Sequence, residues 1–76
     1  MAVSHLTVDV RWFRRECLRR GLNQTLLIER GHLDRSTCRR LDRGEPVSAD
    51  SLIKLSALFE TVAPDPRLDA VVGGLM

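Results

Sequence analysis

The sequence NQTLLIERGHLDRSTCRRLDRG, residues 23–44, predicts two short helices joined by a tight turn. Asn23 and Asp34 stand where a side-chain oxygen accepts hydrogen bonds from the first unpaired backbone N–H groups of a helix. The connection between the two helices, Gly31 to Leu33, is three residues long and contains a glycine. We therefore expect a helix-turn-helix, in which two helices meet at a steep angle and the second exposes its outer face.

The same start signal occurs four times along the chain. An apolar residue precedes a capping residue, and a second apolar residue follows four positions after the cap, which is a hydrophobic staple. The caps are Asp9, Asn23, Asp34 and Ser48. They predict helices over about 9–20, 23–30, 34–43 and 48–60, and Pro66 behind Asp65 predicts a fifth helix to about Val72 that Gly73 and Gly74 would end. Gly21 and Gly44 stand where the first and third helices should end.

The spacing of apolar residues predicts an all-α fold. They recur three and four positions apart, as at Leu52, Leu55 and Phe59, and do not alternate as in a strand. A chain of 76 residues has room for one domain. We expect residues 1–63 to form this domain and residues 64–76 to form a short C-terminal helix or tail.

Charge is distributed unevenly along the chain. Residues 11–43 contain ten arginines against four carboxylates, whereas the rest of the chain has two basic and six acidic residues. A basic surface of this kind suits a polyanionic partner.

The third predicted helix has an apolar face and a basic face. At about 100° per residue, Cys38 and Leu41 share one face and are expected to point inward. The rest of the helix presents arginines and hydroxyls, namely Arg35, Ser36, Thr37, Arg39, Arg40 and Arg43. An arginine placed this way can donate two hydrogen bonds to guanine in the major groove, and the start of the second helix, with Gln24, suits a backbone phosphate. The pattern therefore favours sequence-specific binding of double-stranded DNA by helix 34–43.

These residues resemble the lambda-repressor-like, or Cro-type, helix-turn-helix proteins, also called the XRE family. The likeness runs from about Phe13 to Phe59 and includes Gly21-Leu22-Asn23-Gln24, Leu33-Asp34-Arg35-Ser36-Thr37 and Leu41-Asp42-Arg43-Gly44. The resemblance implies a compact domain of four to five helices and a small transcriptional repressor. It places Gln24 on a phosphate or an outer base, and Arg35, Ser36 and Arg40 at base-reading positions.

The chain departs from the family pattern at three places. Ile28 replaces a usually small residue, so the second and third helices are expected to lie slightly farther apart there. The turn glycine is at Gly31 and not at His32, and histidine accepts a left-handed backbone better than most residues. Many relatives pair an arginine at the position of Cys17 with a glutamate at that of Asp42, and this pair is absent here.

Metal and catalytic chemistry have no good candidate residues. Cys17 and Cys38 are not in a C-x-x-C pair and are expected to be reduced thiols of the core. The spacings of His5 and His32 relative to these cysteines match no zinc motif. We expect no metal, no cofactor, no small-molecule substrate and no enzymatic activity.

The C-terminal segment leaves two functions open. Its apolar residues include Leu68, Val71, Val72, Leu75 and Met76, and we expect the segment to form a homodimer interface or to close over the chain's own core. The alternative to DNA reading is a protein-interaction module of the same fold that docks a partner through this segment. No apolar run approaches the roughly 20 residues that cross a bilayer, so a cytoplasmic protein without membrane association is expected.

Overall fold

The helices begin where the capping pattern predicts. The computed structural model describes the backbone of residues 5–75 and the side chains of residues 5–73. The helices are α1 Val10–Arg19, α2 Gln24–Gly31, α3 Arg35–Arg43, α4 Ala49–Thr61 and α5 Pro66–Leu75. Asp9, Asn23, Asp34 and Ser48 each accept a hydrogen bond from the backbone N–H three residues later. The starts of α1 to α4 are therefore encoded locally.

Left-handed residues close the first three helices. Gly44 ends α3 with φ 72°, and Gly21 follows α1 with φ 67°. His32 ends α2 with φ 58°, and it is the one residue other than glycine with positive φ in the described range 5–75. A left-handed histidine costs more than a left-handed glycine, so the turn keeps some local strain.

The prediction of an all-α fold without strands is wrong in one detail. His5–Leu6 forms a short strand, β1, that pairs antiparallel with β2, Val47–Ser48, between α3 and α4. Strands of two residues show no alternation in the sequence, and the pairing joins segments about forty residues apart. The small sheet brings the start of the described chain beside the residues that follow α3.

The core lies between the first four helices and β2. Its buried residues are Phe13, Cys17, Leu22, Leu27, Leu33, Cys38, Leu41, Val47, Leu55 and Leu58. The prediction that Cys38 and Leu41 point inward is confirmed, and both cysteines are free thiols. Burial raises the pKa of Cys17 to about 11 and also raises the pKa of Cys38, so both thiols are protonated at neutral pH.

Helix α5 packs against α1. Asp65 caps it by accepting a hydrogen bond from the Arg67 backbone N–H, 2.8 Å away. The prediction that Gly73 and Gly74 end α5 is wrong, because the helix continues to Leu75. A glycine stops a helix where its backbone turns to positive φ, and neither of these glycines does so.

No helix within residues 5–75 combines the length and the hydropathy needed to span a membrane.

Candidate nucleic-acid interface

Buried residues hold the turn between α2 and α3 against the core. Leu33 is buried in the core, and its backbone N–H lies 3.4 Å from the Leu27 carbonyl oxygen. Gly31 is buried at the end of α2, where an added Cβ would lie 3.0 Å from Leu58 Cδ2. This close approach to α4 favours glycine at position 31. The turn between α2 and α3 is thus held against the core and α4.

The outer face of α3 carries four exposed arginines. Arg35, Arg39, Arg40 and Arg43 are exposed, as is Ser36, while Thr37 is half-buried. Arg43 lies 3.8 Å from Glu45. Within residues 5–73, no carboxylate lies within ion-pair distance of the other three guanidinium groups. Their charges are therefore available to a partner outside the chain.

Ser36 and Thr37 are first of all part of the cap of α3. Asp34 Oδ1 accepts hydrogen bonds from the Thr37 backbone N–H at 2.6 Å and from Ser36 Oγ at 3.1 Å. Hydrogen bonds from the side chain and backbone of Thr37, and then from Ser36, lower the pKa of Asp34. Because the Ser36 proton points to Asp34, its hydroxyl has acceptor lone pairs left for a base edge or a water.

Gln24 lies beside two of the α3 arginines. It is the first residue of α2, and together with Thr25, Ile28, Arg35 and Arg39 it lines a crevice of about 250 Å³ between α2 and α3. The first backbone N–H groups of α2 also belong to this edge of the molecule. An anion held here would meet a helix N-terminus and two guanidinium groups.

Asp42 has an arginine partner that the sequence analysis missed. Arg14 Nε donates to Asp42 Oδ1 at 3.0 Å, and Arg14 Nη2 donates to the Asp42 carbonyl oxygen at 3.0 Å. Arg14 precedes Cys17 by three positions and so shares its side of α1. The pair between positions 17 and 42 is absent, as the sequence indicates, and Asp42 is instead paired with an arginine one turn earlier on α1. An arginine at that spacing was the signal that could have found it.

Arg19 and Arg20 belong to the structural framework. Glu16 is buried, and it accepts hydrogen bonds from Arg19 Nη1 at 2.9 Å and from Arg20 Nη1 at 2.8 Å. Burial alone would raise the pKa of Glu16, but hydrogen bonds from Arg20 and Arg19 and their charges outweigh it, so the pKa is lowered. The Arg20 guanidinium also lies 4.5 Å from the centre of the Phe59 ring. These two arginines are engaged within the fold.

The apolar residues of α5 divide between the core and the surface. Val72 is buried against the chain itself at 5% exposure, whereas Leu68 and Val71 are exposed at 38% and 60%. Leu75 and Met76, the other residues of the expected interface, lie outside the described side chains. The helix thus closes over its own core with Val72, holds Leu68 partly covered beside Gly21, and presents Val71 outward.

Neither metal chemistry nor comparison with known proteins assigns a ligand to this surface. In the part of the chain that the structure describes, no three His, Cys, Asp or Glu side chains lie close enough to hold a metal ion. No protein-family model matches the chain, and comparisons with curated proteins and with solved structures found no match.

Proposed function

We propose that this chain is a sequence-specific, double-stranded DNA-binding regulator of transcription, most simply a small repressor of the lambda-repressor-like fold. The observation that carries the proposal is the exposed face of α3. There, Arg35, Arg39 and Arg40 have no ion-pair partner within the described residues, and they project from α3, the helix that follows the short turn after α2.

The dimensions of α3 suit the major groove. An α-helix with its side chains is about 10–12 Å across, and the major groove of B-DNA is about 12 Å wide. In the proposed complex Arg35 and Arg40 read guanine edges, with Ser36 beside them as an acceptor. Gln24, Thr37, Arg39 and Arg43 border the groove and contact phosphates, which sets the register of α3 on the duplex.

We propose that the protein acts on DNA as a homodimer and catalyses no reaction. Leu68 and Val71 are the exposed apolar residues that two copies would bury on α5. A two-fold dimer reads two half-sites one helical turn apart, about 10–10.5 base pairs, or a multiple of that distance. Neither a metal nor a cofactor has a role in the proposal.

The same two residues support the second candidate, a module that docks another protein through α5. Selection of bound sites from random duplex DNA, in the presence of competitor DNA, separates the two functions. A recurrent motif with half-site symmetry is the expected result. The absence of any enriched sequence would reject DNA reading and make the docking module the leading proposal.

A further inference from the structure

Three residues of α3 form one stripe along the helix. Arg35, Arg39 and Asp42 follow one another at spacings of four and three, so their side chains lie on the same side of α3. Arg35 and Arg39 line the crevice against α2. Arg39 and Asp42 line a neighbouring groove of about 400 Å³ between α1, α2 and α3. The stripe thus lies along the exposed side of α3 that borders α1 and α2.

Asp42 is a natural competitor for Arg39. A carboxylate and a guanidinium three positions apart on a helix are neighbours and attract each other. Yet in this structure the Asp42 carboxylate is bound by Arg14, and Arg39 forms no ion pair within the described residues. Arg14 also holds the Asp42 carbonyl oxygen, which fixes the backbone of α3 near its C-terminal end.

We propose that Arg14 is a positioning residue for DNA recognition: it occupies Asp42, so that Arg39 is left free for a phosphate. The inference rests on the proposed DNA-binding function and adds a residue outside the helix-turn-helix to it. Arg14 acts through Asp42 and does not itself contact DNA. Without Arg14, Asp42 captures Arg39 and removes one cation from the interface.

A double-mutant cycle tests the inference. Arg14→Gln should weaken binding to the selected DNA site by about tenfold, the size of effect expected when one phosphate contact is lost. Asp42→Asn should bind nearly as well as the wild type. In the double variant the carboxylate is absent, so Arg39 is free again and most of the lost affinity should return.

Arg11→Gln is the matched control, because Arg11 is an exposed arginine of the same helix and its loss removes the same charge. Its effect should be small and should not depend on Asp42. The melting temperature of each variant is measured in parallel. It should change little, since both partners of the pair are more than half exposed.

A second measurement detects the ion pair between Arg39 and Asp42 in the absence of DNA. In Arg14→Gln, the Arg39 Nε–H signal in an NMR spectrum should shift and become protected from exchange, and it should revert in the double variant. The inference is overturned if the double variant binds no better than Arg14→Gln, or if the Arg39 signal is unchanged. A wild type without sequence preference would instead reject the proposed function, and the Arg39 signal would still decide this inference.

Discussion

Gly44 lies so close to Val10 that a Cβ at position 44 would stand 2.8 Å from Val10 Cγ2. Gly44 also has a left-handed backbone, with φ 72°, at the end of α3. Two independent constraints, the backbone conformation and the contact with α1, reserve this position for glycine. The end of the helix that carries the arginines is therefore fixed against the start of α1.

Gly44→Ala should destabilise the protein by about 1–3 kcal/mol, because the alanine is strained at positive φ and overlaps Val10. Chemical denaturation followed by circular dichroism measures the change. Gly73→Ala is the matched control, since Gly73 is helical and an added Cβ there meets nothing within 4 Å. That variant should gain up to about 1 kcal/mol from helix propensity. Equal effects of the two substitutions would show that neither the backbone conformation of Gly44 nor its contact with Val10 is restrictive.

If α3 reads bases directly, replacing different exposed arginines by alanine should weaken DNA binding to different extents, although each replacement removes the same charge. Arg35→Ala and Arg40→Ala should each lose about 1–3 kcal/mol of binding free energy on the selected site and relax the preference at one base position. Arg67→Ala removes an exposed arginine of α5 and should leave the preference unchanged. Titrations at several salt concentrations separate the two effects, with a log–log slope of about −0.9 per neutralised phosphate. Direct reading is wrong if the three variants behave alike.

The buried carboxylate of Glu16 predicts a loss of stability in acid. Its pKa is lower in the folded chain than in the unfolded chain, so the ionised group stabilises the fold above the unfolded pKa. This stability should start to fall at about pH 4–4.5, where unfolded carboxylates protonate, and should be lost as the pH drops through the folded pKa. Glu16→Gln should lower the free energy of unfolding at pH 7 by about 1.5–3 kcal/mol and flatten its pH dependence.

Glu29→Gln serves as the comparison for Glu16, because Glu29 is exposed on α2 and the structure gives it no ion pair. The free energy of unfolding of Glu29→Gln should depend on pH as that of the wild type does. Both proteins keep the contributions of Asp34 and Asp65, whose pKa values are also lowered by hydrogen bonds. A Glu16→Gln profile as steep as that of the wild type would mean that other carboxylates dominate.

Dimerisation through α5 predicts that exposed and buried apolar residues respond differently. Val71→Asp should convert a dimer to a monomer that still folds, since Val71 is 60% exposed. Val72→Asp should instead unfold the chain, because it buries a charge without a partner. Sedimentation equilibrium at micromolar concentration, with circular dichroism as the check on folding, measures both. A wild type that remains a monomer with and without DNA would exclude this interface.

The features that could be predicted from the sequence are those determined within a few residues. Asp9, Asn23, Asp34 and Ser48 bond to an N–H group three positions away, so the helix starts follow from local pattern. The two faces of α3 follow from the helical period in the same way. The exposed arginines of the candidate interface were predictable for this reason.

The features that were missed depend on contacts between distant segments. The strand pair joins residue 6 to residue 47, and Arg14 reaches Asp42 across 28 positions. Local spacing does not reveal which of several arginines a carboxylate will meet. In the same way, the burial of Glu16 between Arg19 and Arg20 follows only once α5 is packed against α1.

The hydrogen bond from the Asp65 backbone N–H to the Arg19 carbonyl oxygen, 2.8 Å long, gives α5 its own reporter proton. Asp65 stands between Pro64 and Pro66, which have no amide proton, so its signal is isolated along the chain. Exchange of this proton with deuterium requires α5 to detach from the end of α1. Its rate, set beside the rates of core amides, measures the free energy of releasing one helix separately from that of unfolding the whole domain.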